Sequence, residues 1–538
     1  MPLDGRMVAV VVLMVALFTA VAAQLVRLSM RGATTNPPRL NMSELITRSY
    51  ARPDIVDRQG RMLATDLEAP SLYADPALIL DVDEATEKLV ALLPELDAVD
   101  LRRQLADTSR RFVWIKRGLA PRLAQRIHNL GQPGLLFRQE PKRAYPMRRA
   151  AGHLLGAVNV DNRGISGIER FIDDDGGAEA VQGSAGTSKP AVRLSIDLGA
   201  QAGLEQELRA AVARYSAAGA AGVILDVQSG EVLAAASLPD VDPSRAIEAQ
   251  DPTRLDKLTT GVYELGSIFK AFTIAEALDA GRVTLDTSID VRIPRRYGRF
   301  LIRDLHPLGR PLSVRDIFIH SSNVGAAMLA ESGGPQAQRD FLTRLGLTEP
   351  MKTEAATLTP PKLPNRWGAI ETATISFGHG MAMAPLQFAV AAAALVNGGL
   401  RISPTVLATT PTEVSQPTER VLKPGTSDAI NQLMRRNVTS PSGTGRQADV
   451  PGYEVGGKTG TAEIPGIGGY QKKAVLSSFL AAFPMSRPRY IVLITIQEPQ
   501  ASEATKGQIT AGVNAAPTAG LVIARVAPLL GVLPVLDP

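Results

Sequence analysis

Apolar residues change period several times along the chain, and each change predicts a different element. Residues 7–26 (MVAVVVLMVALFTAVAAQLV) are interrupted only by Thr19 and Gln24, a run long enough to cross the hydrocarbon core of a bilayer as one helix. Residues 1–6 form a short tail before it, and residues 27–50, polar and containing proline, read as a stalk. From 51 to 174 the pattern is mixed, with turn chemistry at Asp57-Arg58-Gln59-Gly60, short strand-like runs, and charged helices at 84–93 and 101–108. A stretch rich in glycine, serine and acidic residues follows, and 175–191 reads as a linker. The region 192–538 opens with a short strand at 192–196 and a helix at 198–216, then two β runs within 222–236 joined by Gln228-Ser229-Gly230. Near its end, strands at 474–483 and 490–497 flank a proline-containing turn, and an apolar helix closes the chain at 516–530. Strands from both ends with helices between them predict one antiparallel sheet flanked by helices, an α/β fold of the α+β type.

The centre of that domain is predicted at 267–280. Ile268, Phe269, Phe272, Ile274, Ala275 and Leu278 are apolar on nearly every side of a helix, which places it in the interior, and Gly281 stands where a C-cap belongs. Ser267 and Lys270, three apart, share one face of the first turn, where the backbone N–H groups are unsatisfied. A hydroxyl beside an amine at the positive end of a helix suits acyl transfer.

Composition narrows the chemistry. Cysteine is absent, which removes disulfides, thiol nucleophiles and cysteine-based zinc sites. The five histidines show no metal-binding spacing, so a metal site has no visible ligand set. A net charge of +5 fits an anionic partner, such as a membrane surface or an acidic polymer, while aromatics at 4% give nucleic acid little to stack on. Charge around the apolar run is reversed from the usual order: Arg6 precedes it, whereas Arg27, Arg31 and Arg39 follow. Large domains translocate regardless of such flanks, and the body of the chain is expected outside the cytoplasm.

Two further segments supply what a serine nucleophile needs. Ser321 and Asn323 fall in a turn between apolar runs at 314–319 and 324–330, where a hydroxyl and an amide can relay a proton and hold an amine; the alternative there is a helix N-cap. Lys458, Thr459, Gly460 and Thr461 offer an ammonium, two hydroxyls and a close approach to backbone, a set suited to a carboxylate. Lys270 acts as a base only when neutral, and burial together with Lys458 would favour that form. Residues 452–459 also match the P-loop pattern, but glycines and a proline after Thr459 exclude the helix that a P-loop requires.

Ser267-Ile268-Phe269-Lys270, Ser321-Ser322-Asn323 and Lys458-Thr459-Gly460 resemble the three motifs of penicillin-binding transpeptidases and serine β-lactamases. The apolar N-terminal run, Arg52 with the turn at 57–60, and Gly164-Ile165-Ser166-Gly167-Ile168-Glu169 are similar to class B penicillin-binding proteins. Tyr263-Glu264-Leu265-Gly266, residues 377–387 and Gly443-Thr444-Gly445 look most like the division-specific septal members, with Leu265 standing where the family more often has proline.

The resemblance implies a membrane-anchored enzyme without metal or organic cofactor, its catalytic domain outside the inner membrane, cross-linking peptidoglycan stem peptides on glycan strands and acylated by β-lactams. It implies Ser267 as nucleophile, Lys270 as general base helped by Ser321 and Asn323, and Lys458, Thr459, Gly460 and Thr461 around the substrate carboxylate, with the N–H groups of Ser267 and Thr461 as oxyanion donors. Residues 51–174 would serve as a pedestal that contacts other division proteins, including a polytopic glycan polymerase. An elongation-specific transpeptidase, a β-lactam hydrolase and a largely non-catalytic scaffold are the alternative functions.

Overall fold

The computed structural model describes residues 14–24, 27, 52–174, 190–298, 300–409, 419–466 and 469–535. Residues 14–24, within the apolar run, are helical, with Phe18 74% exposed. Among the described residues no helix is long and apolar enough to cross a membrane. The stalk and the linker expected at 27–50 and 175–191 lie almost wholly outside the described residues.

The chain divides into two compact units. One is built on Glu68–Pro141. Helices Val82–Leu92 and Ala98–Ala106 start on Asp81 and Asp97, each of which accepts two backbone N–H bonds as an N-cap. They bury Leu89, Leu101 and Leu105 against Leu72 and Ile127. Trp114 is a packing residue, edge-on to Phe112 at 4.8 Å and under the Arg117 guanidinium at 5.1 Å.

The second unit joins Pro53–Leu67 to the chain after Lys142. Its frame is a five-stranded, wholly antiparallel sheet of β1 (Gly219–Asp226), β2 (Val232–Leu238), β3 (Gly456–Gly466), β4 (Gly469–Phe483) and β5 (Tyr490–Gln497), ordered β3-β4-β5-β1-β2. Ile491 and Leu493 enter one core while Val492 and Ile494 enter the other, the two-residue alternation of a strand. Both faces are covered, so β1 is buried throughout and carries no polar side chain before Asp226 at its end.

Helices α1 (Leu198–Arg214) and α7 (Ala515–Val526) cover one face. On the other lie α2 (Lys270–Asp279), α3 (Val314–Ile319), α4 (Asn323–Arg344), α5 (Pro385–Val396) and α6 (Pro424–Thr439). As its all-round apolarity requires, α2 is interior: Phe272 meets Phe388 of α5 edge-on at 5.1 Å, and both are fully buried. The helix ends where expected, Arg282 N donating to Ala277 O across Gly281. Its start differs from the expected one, because Gly266–Phe269 is a 3₁₀ turn and the α-helix begins at Lys270. At the β2 edge, the Gln201 carboxamide donates to Ala235 O at 2.8 Å and accepts from Ala235 N at 2.9 Å, standing in for a further strand.

Two segments that look like family marks in the sequence are structural clamps. Asp57, fully buried, accepts from Gln59 N, Arg61 N, Arg61 Nε and Leu198 N, which ties the turn at 57–60 to the start of α1. Burial works against the Asp57 charge, but these donors hold its carboxyl below the usual range. Arg143 and Glu169, with side chains wholly buried, pair at 2.6 Å, and Arg143 also reaches Asp66 and Pro53 O.

Candidate active site

Three segments that are far apart in sequence meet at one amine. Lys270 Nζ lies 2.9 Å from Ser267 Oγ, 2.7 Å from Asn323 Oδ1, 2.6 Å from Ser321 O and 3.0 Å from Ser321 Oγ. Lys458 Nζ approaches from β3 and lies 3.0 Å from the same Ser321 hydroxyl, which therefore bridges the two lysines. Both lysines have no exposed surface, whereas Ser267, Ser321 and Asn323 are half-buried and open to a ligand.

Local sequence explains each position. Gly266, at φ 61°, lets the chain turn into the 3₁₀ segment; a Cβ there would sit 2.8 Å from Thr461 O. Gly460 does the same from the other side, since its Cβ would lie 2.5 Å from Leu265 O. With glycine at both positions, β3 packs directly against the turn that carries Ser267. Ser321 has φ 57° because it follows α3 as a Schellman cap, with Ser322 N donating to Ile317 O and Ser321 N to Phe318 O. Ser322 then caps α4, its Oγ accepting from Gly325 N at 2.9 Å. Capping thus falls to Ser322, while Ser321 and Asn323 face the Lys270 amine.

Burial pushes the Lys270 amine well below its ordinary value, and the Lys458 charge pushes the same way, against Asp304. Burial likewise lowers Lys458, to about 7. The ammonium expected at Lys458 is thus one that titrates near neutrality, and a carboxylate beside it favours the charged form. Its Nζ also sits 5.7 Å from the Phe318 ring centre.

Thr459 Oγ1 donates to Thr444 Oγ1 at 2.7 Å, while Thr461 Oγ1 accepts from Ala511 N at 3.1 Å. Lys458 and Thr459 lie within β3, so no helix opens at that lysine and the nucleotide-loop match has no structural counterpart.

Sequence reasoning did not select Asp304, Thr444 or Asn437. Asn437 joins the 443–445 loop to β3, and Asp304 clasps the 321–323 turn. A signal for Thr444 was present in Gly443-Thr444-Gly445; none marks Asp304, which lies among the arginines of an exposed segment.

Residues 220–515 match the penicillin binding protein transpeptidase domain, and residues 48–175 the penicillin-binding protein dimerisation domain. The chain belongs to the penicillin-binding transpeptidase family. It is 42% identical over 489 residues to the "Probable peptidoglycan D,D-transpeptidase FtsI" of Caulobacter vibrioides, covering 90% of this chain and 82% of that protein. Identity to the peptidoglycan D,D-transpeptidase FtsI of Escherichia coli K12 is 31% over 500 residues, covering 88% and 84%. Among solved structures, the apo transpeptidase domain of penicillin-binding protein 3 from Burkholderia pseudomallei matches with a TM-score of 0.57 at 31% identity, covering 64% of this chain and 98% of that one. In this transpeptidase, the segments at 267–270, 321–323 and 458–461 all lie within the matched transpeptidase domain, and the first two and Lys458 converge around Lys270 and Ser321.

Proposed function

We infer that this peptidoglycan D,D-transpeptidase works through an acyl-enzyme on Ser267. The observation that carries the reading is the 2.9 Å approach of a buried, pKa-depressed Lys270 amine to the Ser267 hydroxyl. Neutral Lys270 takes the proton as Oγ attacks the peptide carbonyl between the two terminal D-alanines of a stem. The N–H groups of Ser267 and Thr461 receive the oxyanion, a role supported by the packing of β3 on the 266–268 turn. The C–N bond breaks, and D-alanine departs with a proton delivered through Ser321, the hydroxyl shared by both lysines. An amine from a neighbouring stem then attacks the ester and gives its proton to Lys270; the C–O bond breaks, and Lys270 returns that proton to the departing Ser267 Oγ. Lys458, with Thr459 and Thr461 on the same strand, receives the terminal carboxylate, and Asn323 holds Lys270. A β-lactam acylates Ser267 by the same path.

The assignment to the division septum rests on likeness to the relatives called FtsI. With it go a membrane anchor at 7–26, a catalytic domain at 192–538 outside the inner membrane, and a pedestal at 51–174 that engages a glycan polymerase and other division proteins. The two family matches support this division of the chain. Fluorescent penicillin should label the native protein, and Ser267→Ala should abolish the label while the thermal transition is kept; labelling that persists in the variant refutes the nucleophile. A tagged copy is expected at midcell, and a side-wall pattern would assign it to elongation instead.

A further inference from the structure

The segment 292–310 carries six arginines against one acid, Asp304, so nineteen residues hold a net charge of +5, equal to that of the whole chain. Within it lies an antiparallel hairpin, Arg295–Tyr297 with Phe300–Ile302, in which Arg295 stands opposite Ile302 and Arg296 opposite Leu301. Residues opposite each other across a hairpin share a side, and successive residues alternate sides. One side is turned inward: Ile302 is buried in the core that contains α2, and Tyr297 packs against it. The other carries Arg296 and Leu301, both exposed, and Arg303 follows two residues after Leu301, exposed as well.

Three arginines of the segment are held by neighbouring acids. Arg292 pairs with Asp290 at 2.7 Å, Arg295 with Glu331 of α4 at 2.9 Å, and Arg310 with Asp316 of α3 at 3.0 Å. Among the described residues, Arg296 and Arg303 form no ion pair. A guanidinium cannot shed its charge, so two permanent cations face solvent. Ile293, Leu301, Leu305 and Leu308 are exposed beside them. Such a surface suits a ligand that is anionic and apolar by turns. It also borders the catalytic site, because Asp304, next to Arg303, accepts from Asn323 N at 2.6 Å and from Ser322 Oγ at 2.7 Å.

We propose that the outer side of this hairpin is a second binding site for the peptidoglycan strand, where Arg296 and Arg303 take carboxylates of stems that neighbour the one being cross-linked. Leu301 and Leu305 would cover the alanine methyls of those stems. The inference rests on the D,D-transpeptidase reading, in which Lys458 receives the terminal carboxylate of the reacting stem. A strand repeats its stems, so engagement of one in the site brings the next to the hairpin at high effective concentration, and contacts that are weak singly add to the hold. Arginine fits the task because its planar fork meets a carboxylate through two parallel N–H bonds.

The test is binding by full-length Ser267→Ala, which cannot turn the strands over. The probes are un-cross-linked peptidoglycan strands with intact stems, the same strands stripped of stems by an amidase, and vesicles of anionic phospholipid. Adding Arg296→Gln with Arg303→Gln should weaken binding to intact strands about five- to thirty-fold, a few-fold for each exposed ion pair. It should also flatten the dependence of binding on salt. Arg296→Lys with Arg303→Lys should keep most of the affinity. Stripped strands should bind more weakly, and on them the glutamine pair should cost nothing further. With Ser267 intact, the glutamine pair should be acylated by fluorescent penicillin within about two-fold of the native rate, since the hairpin acts on strand binding and not on the chemical step. Native affinity in the glutamine pair, an equal loss on stripped strands, or a tighter hold on the vesicles than on the strands overturns the proposal. Penicillin labelling of Ser267→Ala would instead sink the acyl-enzyme reading and leave the strand binding as measured, so the two failures are distinguishable.

Discussion

The Asn437 amide donates from Nδ2 to Gly457 O at 2.9 Å, one residue before Lys458, while its Oδ1 accepts from Thr444 N at 3.1 Å. One fully buried side chain thereby fixes β3 and the 443–445 loop to α6. Asn437→Leu leaves a strand carbonyl and a loop N–H unsatisfied, at a cost of about 1–3 kcal/mol. Thermal unfolding should register that loss, and the penicillin acylation rate should fall with it, because the Lys458 strand is no longer anchored.

Ser321→Gly separates fold from chemistry. Glycine fits the left-handed position at least as well as serine, so the unfolding temperature should not drop. The hydroxyl that links Lys270 to Lys458 is lost, and acylation should slow by about 10²-fold or more. An unchanged rate would exclude proton relay through this hydroxyl.

Lys270→Arg keeps a positive charge but cannot lose its proton at working pH. Acylation should disappear at every pH tested. In the native enzyme the reactive form is neutral Lys270, so the rate should fall as pH drops through the depressed Lys270 pKa and hold above it. A native protein fastest at acid pH would contradict the assignment of this base.

Lys458 is held at about 7 against an ordinary 10.5, and each pKa unit corresponds to about 1.4 kcal/mol. The sign follows from linkage: below about 7 the folded protein carries the full cost of the buried ammonium, and stability rises as pH goes from there to about 10.5, where the unfolded lysine also loses its proton. Lys458→Met should therefore raise the unfolding temperature at neutral pH and flatten its rise with pH, while acylation is lost. A destabilised Lys458→Met would mean that the Ser321 and Thr459 contacts outweigh burial.

Breaking the Arg143–Glu169 pair should act on stability alone. Arg143→Leu takes a hydrogen-bonded charge partner from the fully buried Glu169 and breaks the bonds to Asp66 and Pro53 O, at a cost of about 3–5 kcal/mol. Folded protein should be scarcer, and that which remains should be acylated at the native rate.

Periodicity alone made much of this fold legible. The apolar run of β1, the alternation in β5, the all-round apolarity of α2 and the glycine after it each reflect a local rule, and each element formed near its expected place. The candidate site was legible because Ser267 and Lys270 stand three residues apart, and because the segments 321–323 and 458–461 follow them in the order that the family resemblance expects. Asp304 was not, because a carboxylate among arginines in an exposed strap looks like surface; only the fold brings it within 2.6 Å of Asn323 N.

What the sequence determined by itself is therefore what depends on neighbours within a turn or two: where strands and helices lie, which glycine ends a helix, which serine stands beside which lysine. Only the tertiary structure decided that the Ser321 hydroxyl stands between two lysines brought together from different elements, and that both amines are buried deeply enough to shift toward the neutral form. Such distances are set by how β3 packs on the turn at 266–268, and the low pKa values by the exclusion of water around it. Both belong to the assembled core rather than to any segment of the chain.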